Sequence, residues 1–565
     1  MPADLSTSTL FELFEAEWEY RMRENPLSAT FCGDQRFNDR MPAMDEASLS
    51  SRVEQARQFL AQLRQIERSR LAANDQLNYD IFGRELELQI QEYDFGLQYM
   101  PISRLSGFQI YLPDLSLQTP FNNFTDYQAY LQRLRGFRTY FAEHIHLMRR
   151  GIELGLVPSQ TAMAGVEQTI SGQIITDPQH SLFYQPFVQI PGAIHPQDQT
   201  HLRQAAVQVI AETVVPAYQA LLDFVQQEYL PAARANIAAA TLPNGPAYYA
   251  YCVRRYTTLS VSPSEVHEIG MDEVQRIRGE MDTLIRKTGF IGGFKDFLQF
   301  LRTDPRFYVD TPETLMKEVA WIMKRMEGEL PRLFKNLPRT PFGMRQIPDY
   351  LAPTSTSAYY FPLSGDRKTA GFYYVNTYDL KSRPLYEYEA LSFHEAVPGH
   401  HLQLALQTEM ESVPNFRRFT DVTAFIEGWA LYAERLGLEV GFYQDPYSNF
   451  GRLTYEIWRA CRLVVDTGMH ALGWSRQQAI DFMTENSGLS LLNIANEVDR
   501  YIAWPGQALA YKMGELKIRE LRQHAEQTLG ERFDIREFHD QLLQNGSIPL
   551  DALEERIRGW ANSVI

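Results

Sequence analysis

The stretch YEYEALSFHEAVPGHHLQLALQTE (386–409) places three of the chain's 12 histidines within eight residues, at 394, 400 and 401, with Glu395 beside the first. Two imidazoles four residues apart on a helix share one face. His-Glu-x-x-His is therefore the usual ligand pair of zinc hydrolases, with the Glu acting on the water that the metal polarises. Here the fourth position after His394 is Pro398, which cannot be a ligand and has no N–H for the carbonyl of His394. Gly399 follows and permits an unusual backbone angle. The sequence predicts a helix that breaks at Pro398 and bulges, bringing His400 back toward His394. On an unbroken helix His401 would share the face of His394 but lie ~10 Å further along the axis, awkward for two ligands of one ion. His400 is the preferred second ligand. His401 is the alternative, or a group that supports the ligands from behind.

Working outward, DVTAFIEGWALYAERLGLEVG (421–441) reads as an amphipathic helix with Glu427 set among Phe425, Ile426, Trp429 and Ala430. A carboxylate in such surroundings is costly unless it is paired, protonated or bound to metal. An ion pair with an Arg is the competing reading. Gly428 and Ala430 are small enough to let another helix approach closely, and Glu434, seven residues on, can orient a ligand from behind. Two histidines and one glutamate leave a position open for water, the arrangement of a hydrolytic zinc site. One zinc ion per chain is expected.

Upstream, SAYYFPLSGDRKTAGFYYVNTYDL (357–380) combines aromatic and β-branched residues around Ser364-Gly365-Asp366, and predicts a short hairpin or edge strand. Its strand around Gly371–Asn376 could pair with an extended substrate, which makes Asn376 a candidate contact. Most of the remaining chain has apolar residues at helical spacing, clearest over 8–25, 49–70, 73–96, 125–152 and 199–236. The turn cluster TLPNGPAYY (241–249) is the best boundary, giving an N-terminal helical lobe, 1–245, and a catalytic lobe, 246–565, in one integrated unit. Beyond it, Ser262 or Ser264 can cap a helix carrying Val266, Ile269, Val274 and Ile277. His267 on that helix reads as a partly buried core histidine. The fold class expected is mainly α with a small β-sheet or hairpin near the site.

Composition narrows the partners. The 565 residues carry a formal net charge of −16, which argues against nucleic acid, since phosphate binding needs clustered Lys and Arg. No stretch was expected to reach the ~20 apolar residues of a membrane span, and MPADLSTSTLFELFEAEWEYR has neither the basic nor the apolar region of a signal peptide. Cys32, Cys252 and Cys461 are scattered and odd in number, so neither a disulfide framework nor a cysteine zinc site is expected. A cytoplasmic protein follows from these features.

Four blocks in one order carry a resemblance: HEAVPGHHLQ (394–403), FIEGWALYAE (425–434), RACRLVVDTGMHALGWS (459–475) and YIAWPGQALAYKMGELKI (501–518). Together they resemble the bacterial domain-of-unknown-function-885 family, which is grouped with zinc metallopeptidases. The similarity runs from about residue 10 to the C-terminus and is densest over 357–520. More distantly the arrangement is similar to thimet oligopeptidase and the Taq-type carboxypeptidases. That implies a large helical fold of two lobes flanking a deep groove, with His400 of the Gly-His-x-Leu run as second ligand and Glu427 as third. The insertion holding Pro398 departs from their standard motif. The resemblance also implies a tyrosine donor for the oxyanion, Tyr511 or, as the weaker candidate, Tyr501. Arg500 and Gln507 beside them are candidate substrate contacts. Arg459 and Arg462 could capture a terminal carboxylate, which would mark a carboxypeptidase rather than an oligopeptidase. The plainer reading of Arg462 is a helical ion pair with Asp466.

The expected function is a zinc-dependent metallopeptidase of short peptides with Glu395 as general base. Two alternatives stand beside it: a catalytically silent helical binding protein that has kept a metal site or only its scaffold, and a metal-dependent hydrolase of other amides or esters.

Overall fold

A computed structural model describes residues 5–349, 352–353, 355–362 and 370–564, which form a mainly α chain with one small sheet. The chain divides into two compact units. One is Met1–Tyr248 with Pro414–Phe416, and the other is Tyr249–Val413 with Arg417–Ile565.

The first unit contains α1 (Leu5–Glu24), α2 (Glu46–Leu63), α3 (Ala73–Asp94), α4 (Phe124–Arg135) and α5 (Phe137–Leu154). Side chains satisfy first-turn N–H groups at two of their starts: Asp45 accepts from Ser48, and Asn123 and Asp126 form a reciprocal box. The single helix expected over 125–152 is instead two, divided at Gly136, where Met41 lies 3.0 Å from the place a Cβ would take.

The helix expected over 199–236 is α6 (Pro196–Ala232), continuous through two π-helical turns. By length and composition alone α6 passes for a membrane span, with a mean hydropathy of 1.3 over one 18-residue stretch, as the core helix of a folded domain also can. Polar residues such as Gln208, Glu212 and Asp223 interrupt the run and conceal it in the sequence. Its apolar side is core: Leu202, Ile210, Val214, Tyr218, Leu221 and Tyr229 are buried with the rings of α4 and α5. Phe416, contributed from far downstream, packs between Phe14 (5.1 Å) and Phe82 (5.4 Å) of this unit.

The second unit holds α7 (Pro263–Lys287), α8 (Pro312–Leu333), the sheet, α9 (Tyr388–Glu395), α10 (His400–Thr408), α11 (Thr423–Leu436), α12 (Pro446–Ala471), α13 (Leu491–Ala503) and α14 (Ala510–Leu529). Ser262, not Ser264, caps α7 in a reciprocal box with Glu265. His267 is half-buried, with Nδ1 2.9 Å from Thr467 Oγ1, the core role expected of it. Helices α7 and α12 run so close that a Cβ on Gly270 would fall 2.7 Å from Leu463.

Three strands, β1 (Phe342–Gln346), β2 (Ala358–Phe361) and β3 (Gly371–Val375), lie in the order β1-β3-β2, parallel on one side of β3 and antiparallel on the other. The Ser364-Gly365-Asp366 turn lies outside the described residues.

A fully buried Lys512 ties three helices together, its Nζ within 2.8–3.0 Å of Glu273 on α7, Glu456 on α12 and Glu515 on α14. Without those carboxylates an ammonium in this position would be prohibitively desolvated.

Candidate metal centre

The break expected at Pro398 is present: α9 stops at Glu395 and α10 begins at His400. Trp429 Nε1 donates to the Pro398 carbonyl (3.0 Å) and fixes the loop to α11. Gly399 is required by close approach, since a Cβ there would lie 2.0 Å from the His394 carbonyl oxygen. This tight return brings the rings of His394 and His400 to 4.8 Å, almost perpendicular at 88°.

Glu427 arrives from α11. That helix crosses α14 at backbone contact, a Cβ on Gly428 falling 2.5 Å from Gly514 Cα, as the small residues at this point predict. Glu427 Oε2 then lies 3.5 Å from His394 Nε2 and 3.4 Å from His400 Nε2, and among the described residues no Arg pairs with it. It takes no hydrogen bond, and neither does His400 Nδ1, although both atoms are buried. Tetrahedral bonds of about 2.1 Å put ligand atoms about 3.4 Å apart. The Glu427 oxygen therefore stands from each imidazole nitrogen as two ligands of one first-row divalent ion would, and with all three ligand atoms within 4.8 Å of one another these side chains are, among the described residues, the group that could hold such an ion.

Electrostatics agree with a site that seeks positive charge. Burial opposes charge on Glu427, but the imidazoles of His400 and His394 outweigh it and hold the carboxyl well below its usual range. Burial likewise opposes charge on His394, and Glu427 and Glu434 overcome it, raising the ring to about 9. Glu434 accepts from His394 Nδ1–H at 2.8 Å, which leaves Nε2 facing Glu427. This is the orienting contact that the seven-residue spacing from Glu427 suggested. Arg459 Nη2 stands 3.5 Å behind Glu434, a support that sequence alone did not indicate.

Other expected residues fall in distinct places. His401 turns to the sheet: Nδ1 is 2.9 Å from Tyr360 Oη, the ring lies against Phe342, and burial lowers it to about 4. It is outside the triad. Glu395, half-buried at the end of α9, has no hydrogen bond or ion pair among the described residues. Tyr511 stacks near His394 (6.5 Å, 15°) with the Arg462 guanidinium 4.3 Å over its ring. Burial, and then the charge of Glu427, keep its hydroxyl protonated.

The Tyr501 hydroxyl is already spent. It donates to Glu497 (2.7 Å) and accepts from Arg462 Nε (2.9 Å) and Trp458 Nε1 (3.0 Å). Arg500 joins this network through Glu497 (3.1 Å) and the Gln507 amide oxygen (2.7 Å). Arg462 pairs with Glu497 at 3.1 Å and not with Asp466, which corrects the helical pair expected from spacing. Asp466 instead accepts from Tyr249 Oη and Gly506 N. Arg462 Nη1 alone remains buried and unpartnered.

Two expectations at the sheet are corrected. β3 is the central strand, so the backbone of Gly371–Val375 is paired on both sides and cannot receive a substrate strand. Asn376 is fully buried, its amide donating to the carbonyls of Ala352 (2.9 Å) and Thr356 (2.9 Å), and it supports the sheet.

A family model described as "Bacterial protein of unknown function (DUF885)" matches residues 26–557. A crystal structure from Colwellia psychrerythraea, described as a "putative lipoprotein", is similar over 99% of this chain and 99% of its own, with 27% identity and a TM-score of 0.93. Another, from Shewanella oneidensis and described as a "putative lipoprotein of unknown function", shares the fold over 97% of this chain and 99% of its own, at 17% identity and a TM-score of 0.67. No curated protein matches the chain.

Proposed function

The chain belongs to DUF885, a bacterial family of unknown function, and we propose that it is a zinc-dependent peptidase acting on short peptides. The observation that carries this reading is the Glu427 oxygen set 3.5 and 3.4 Å from two imidazole nitrogens, with His394 oriented from behind by Glu434. His394, His400 and Glu427 would hold the ion. Zinc supplies Lewis acidity toward a carbonyl and acidifies water.

The chain's own residues do the rest. Glu395, adjacent in sequence to His394 and without a partner among the described residues, takes the proton of the attacking water on its carboxylate and returns it to the leaving amine. Tyr511 stays protonated and donates its hydroxyl to the developing oxyanion. Tyr501, whose hydroxyl is engaged, positions Arg462 instead. The Arg462 Nη1 left unpartnered is the donor for a substrate carboxylate, which favours removal of residues from the C-terminus. The distant resemblance of Gly399, His400, Leu402 and Glu427 to the ligand positions of thimet oligopeptidase and Taq-type carboxypeptidases supports the same chemistry.

The test joins zinc quantification with mass spectrometry of a digested peptide mixture. About one zinc per chain and stepwise loss of C-terminal residues are expected. Bound zinc without peptide cleavage would move the activity to other amides or esters, and a small-molecule panel would find it. A chain that binds no zinc would be the silent binding protein.

For location, the lipoprotein description of the Colwellia psychrerythraea relative supports the cell envelope, against the cytoplasmic expectation. Cell fractionation separates the two.

A further inference from the structure

Among the described residues, buried polar atoms without a hydrogen-bond partner concentrate at two places. One is the candidate metal centre, with His400 Nδ1, Glu427 Oε2, Glu434 Oε2 and Arg459 Nε. The other lies wholly in the first unit, in the walls of a cavity of about 420 Å³ bounded by α1, α2, α3 and α5. Its unpartnered atoms are Glu17 Oε2, Gln98 Oε1, Arg52 Nε and both ring nitrogens of His144. Each such atom costs about 1–3 kcal/mol when nothing satisfies it, so a cluster lining one cavity calls for a ligand.

His144 and Glu17 are each 4% exposed. The imidazole is clamped by rings, stacked on Phe108 at 4.3 Å and edge-on to Tyr140 at 4.6 Å, so its plane is fixed while its nitrogens stay unused. Burial pushes it down to about 3, leaving it neutral with one donor and one acceptor. Glu17 spends Oε1 on Arg21 (2.9 Å), and Gln98 spends its amide nitrogen on the Tyr93 carbonyl. Arg52 donates Nη2 to the Ala43 carbonyl, with Nε 3.6 Å from Glu24.

The unspent atoms are chiefly acceptors, one of them a carboxylate oxygen, and the apolar lining includes Phe59, Leu86 and Tyr93. We infer that this cavity binds a small organic ammonium compound with an aromatic or branched aliphatic body. The ammonium N–H groups are matched to Glu17 Oε2 and Gln98 Oε1, and the body to the ring-lined wall. The lining carries three carboxylates, Glu17, Glu24 and Glu92, against two guanidiniums, Arg21 and Arg52, so an anion of the same shape is disfavoured. The site lies in the unit that does not carry the metal centre, so it stands whether or not the chain is a peptidase.

The experiment is calorimetric titration of the full chain, stripped of metal by a chelator, with 2-phenylethylamine and with 3-phenylpropionate. Saturable binding of the amine is expected, weakened about tenfold or more by Glu17→Gln, and at least about tenfold tighter than binding of the acid. Absence of saturable amine binding would mean that water alone fills the cavity and would overturn the inference, as would equal affinity for the acid. Should Glu17→Gln fail to fold, photolabelling of the unaltered chain with 2-(4-azidophenyl)ethylamine decides. Labelled peptides from α1, α2, α3 and α5 support the site, and labels confined to other segments refute it.

Discussion

Glu395 and Glu427 are the same residue type put to different uses by their surroundings. Glu427 is held between two imidazoles, whereas Glu395 ends a helix and has no partner among the described residues. Glu395→Gln should retain zinc and lose about 10²- to 10⁴-fold in turnover; metal-loaded variant protein with near-normal turnover would remove Glu395 from the mechanism. Glu434→Ala should leave the ligand set intact but weaken zinc binding about 10- to 100-fold, measured by competition with a chromogenic chelator. An unchanged affinity would show that the 2.8 Å contact to His394 does not orient the ring. His394, Glu427 and Glu434 were legible in the sequence because helical spacing and an isolated acid among apolar residues are local signals. Tyr360 on His401 and Arg459 behind Glu434 were not legible, because these contacts join residues remote in the sequence whose meeting depends on packing.

At the scale of elements, the site depends on how closely α11 and α14 meet. Gly428→Ala would force a Cβ into Gly514, and should destabilise the protein by about 1–3 kcal/mol while reducing zinc occupancy, because Glu427 is the preceding residue. Urea unfolding and metal analysis of one preparation would check both effects. A stable variant that only loses zinc would show that the crossing positions the ligand without limiting the fold. The helices themselves were largely readable from apolar spacing, as α1, α2, α3 and the Ser262 cap show. The sheet was readable in composition but not in order, because which strand lies centrally is a tertiary fact. The sequence therefore suggested a free strand at 371–376 where the fold has a paired one.

The whole molecule carries buried titratable groups in both units, and they act in opposite directions with pH. His144 and His539 are pushed down to about 3 by burial, from an ordinary 6.5. Between those values the unfolded chain binds more protons, so stability falls on acidification below about 6.5. Asp466 is raised by burial from 3.8 to about 7, so the folded chain holds the extra proton and stability falls as pH rises through that window. The Asp466 contribution is opposed by the two histidines over most of that window, so Asp466→Asn should make the urea midpoint rise more steeply with pH between about 4 and 7. An unchanged slope in the variant would show that Asp466 does not hold the extra proton.

The placement of Phe416 between Phe14 and Phe82 has a consequence for biosynthesis. The first 248 residues leave the ribosome well before the aromatic ring that completes their core. At roughly 5–20 residues per second the nascent unit waits on the order of 10–30 s for it. During that interval the touching rings of Phe14 and Phe82 lack the third ring that covers them, which makes this patch a natural holding point for a chaperone. A fragment ending at residue 248 would keep the vacancy permanently.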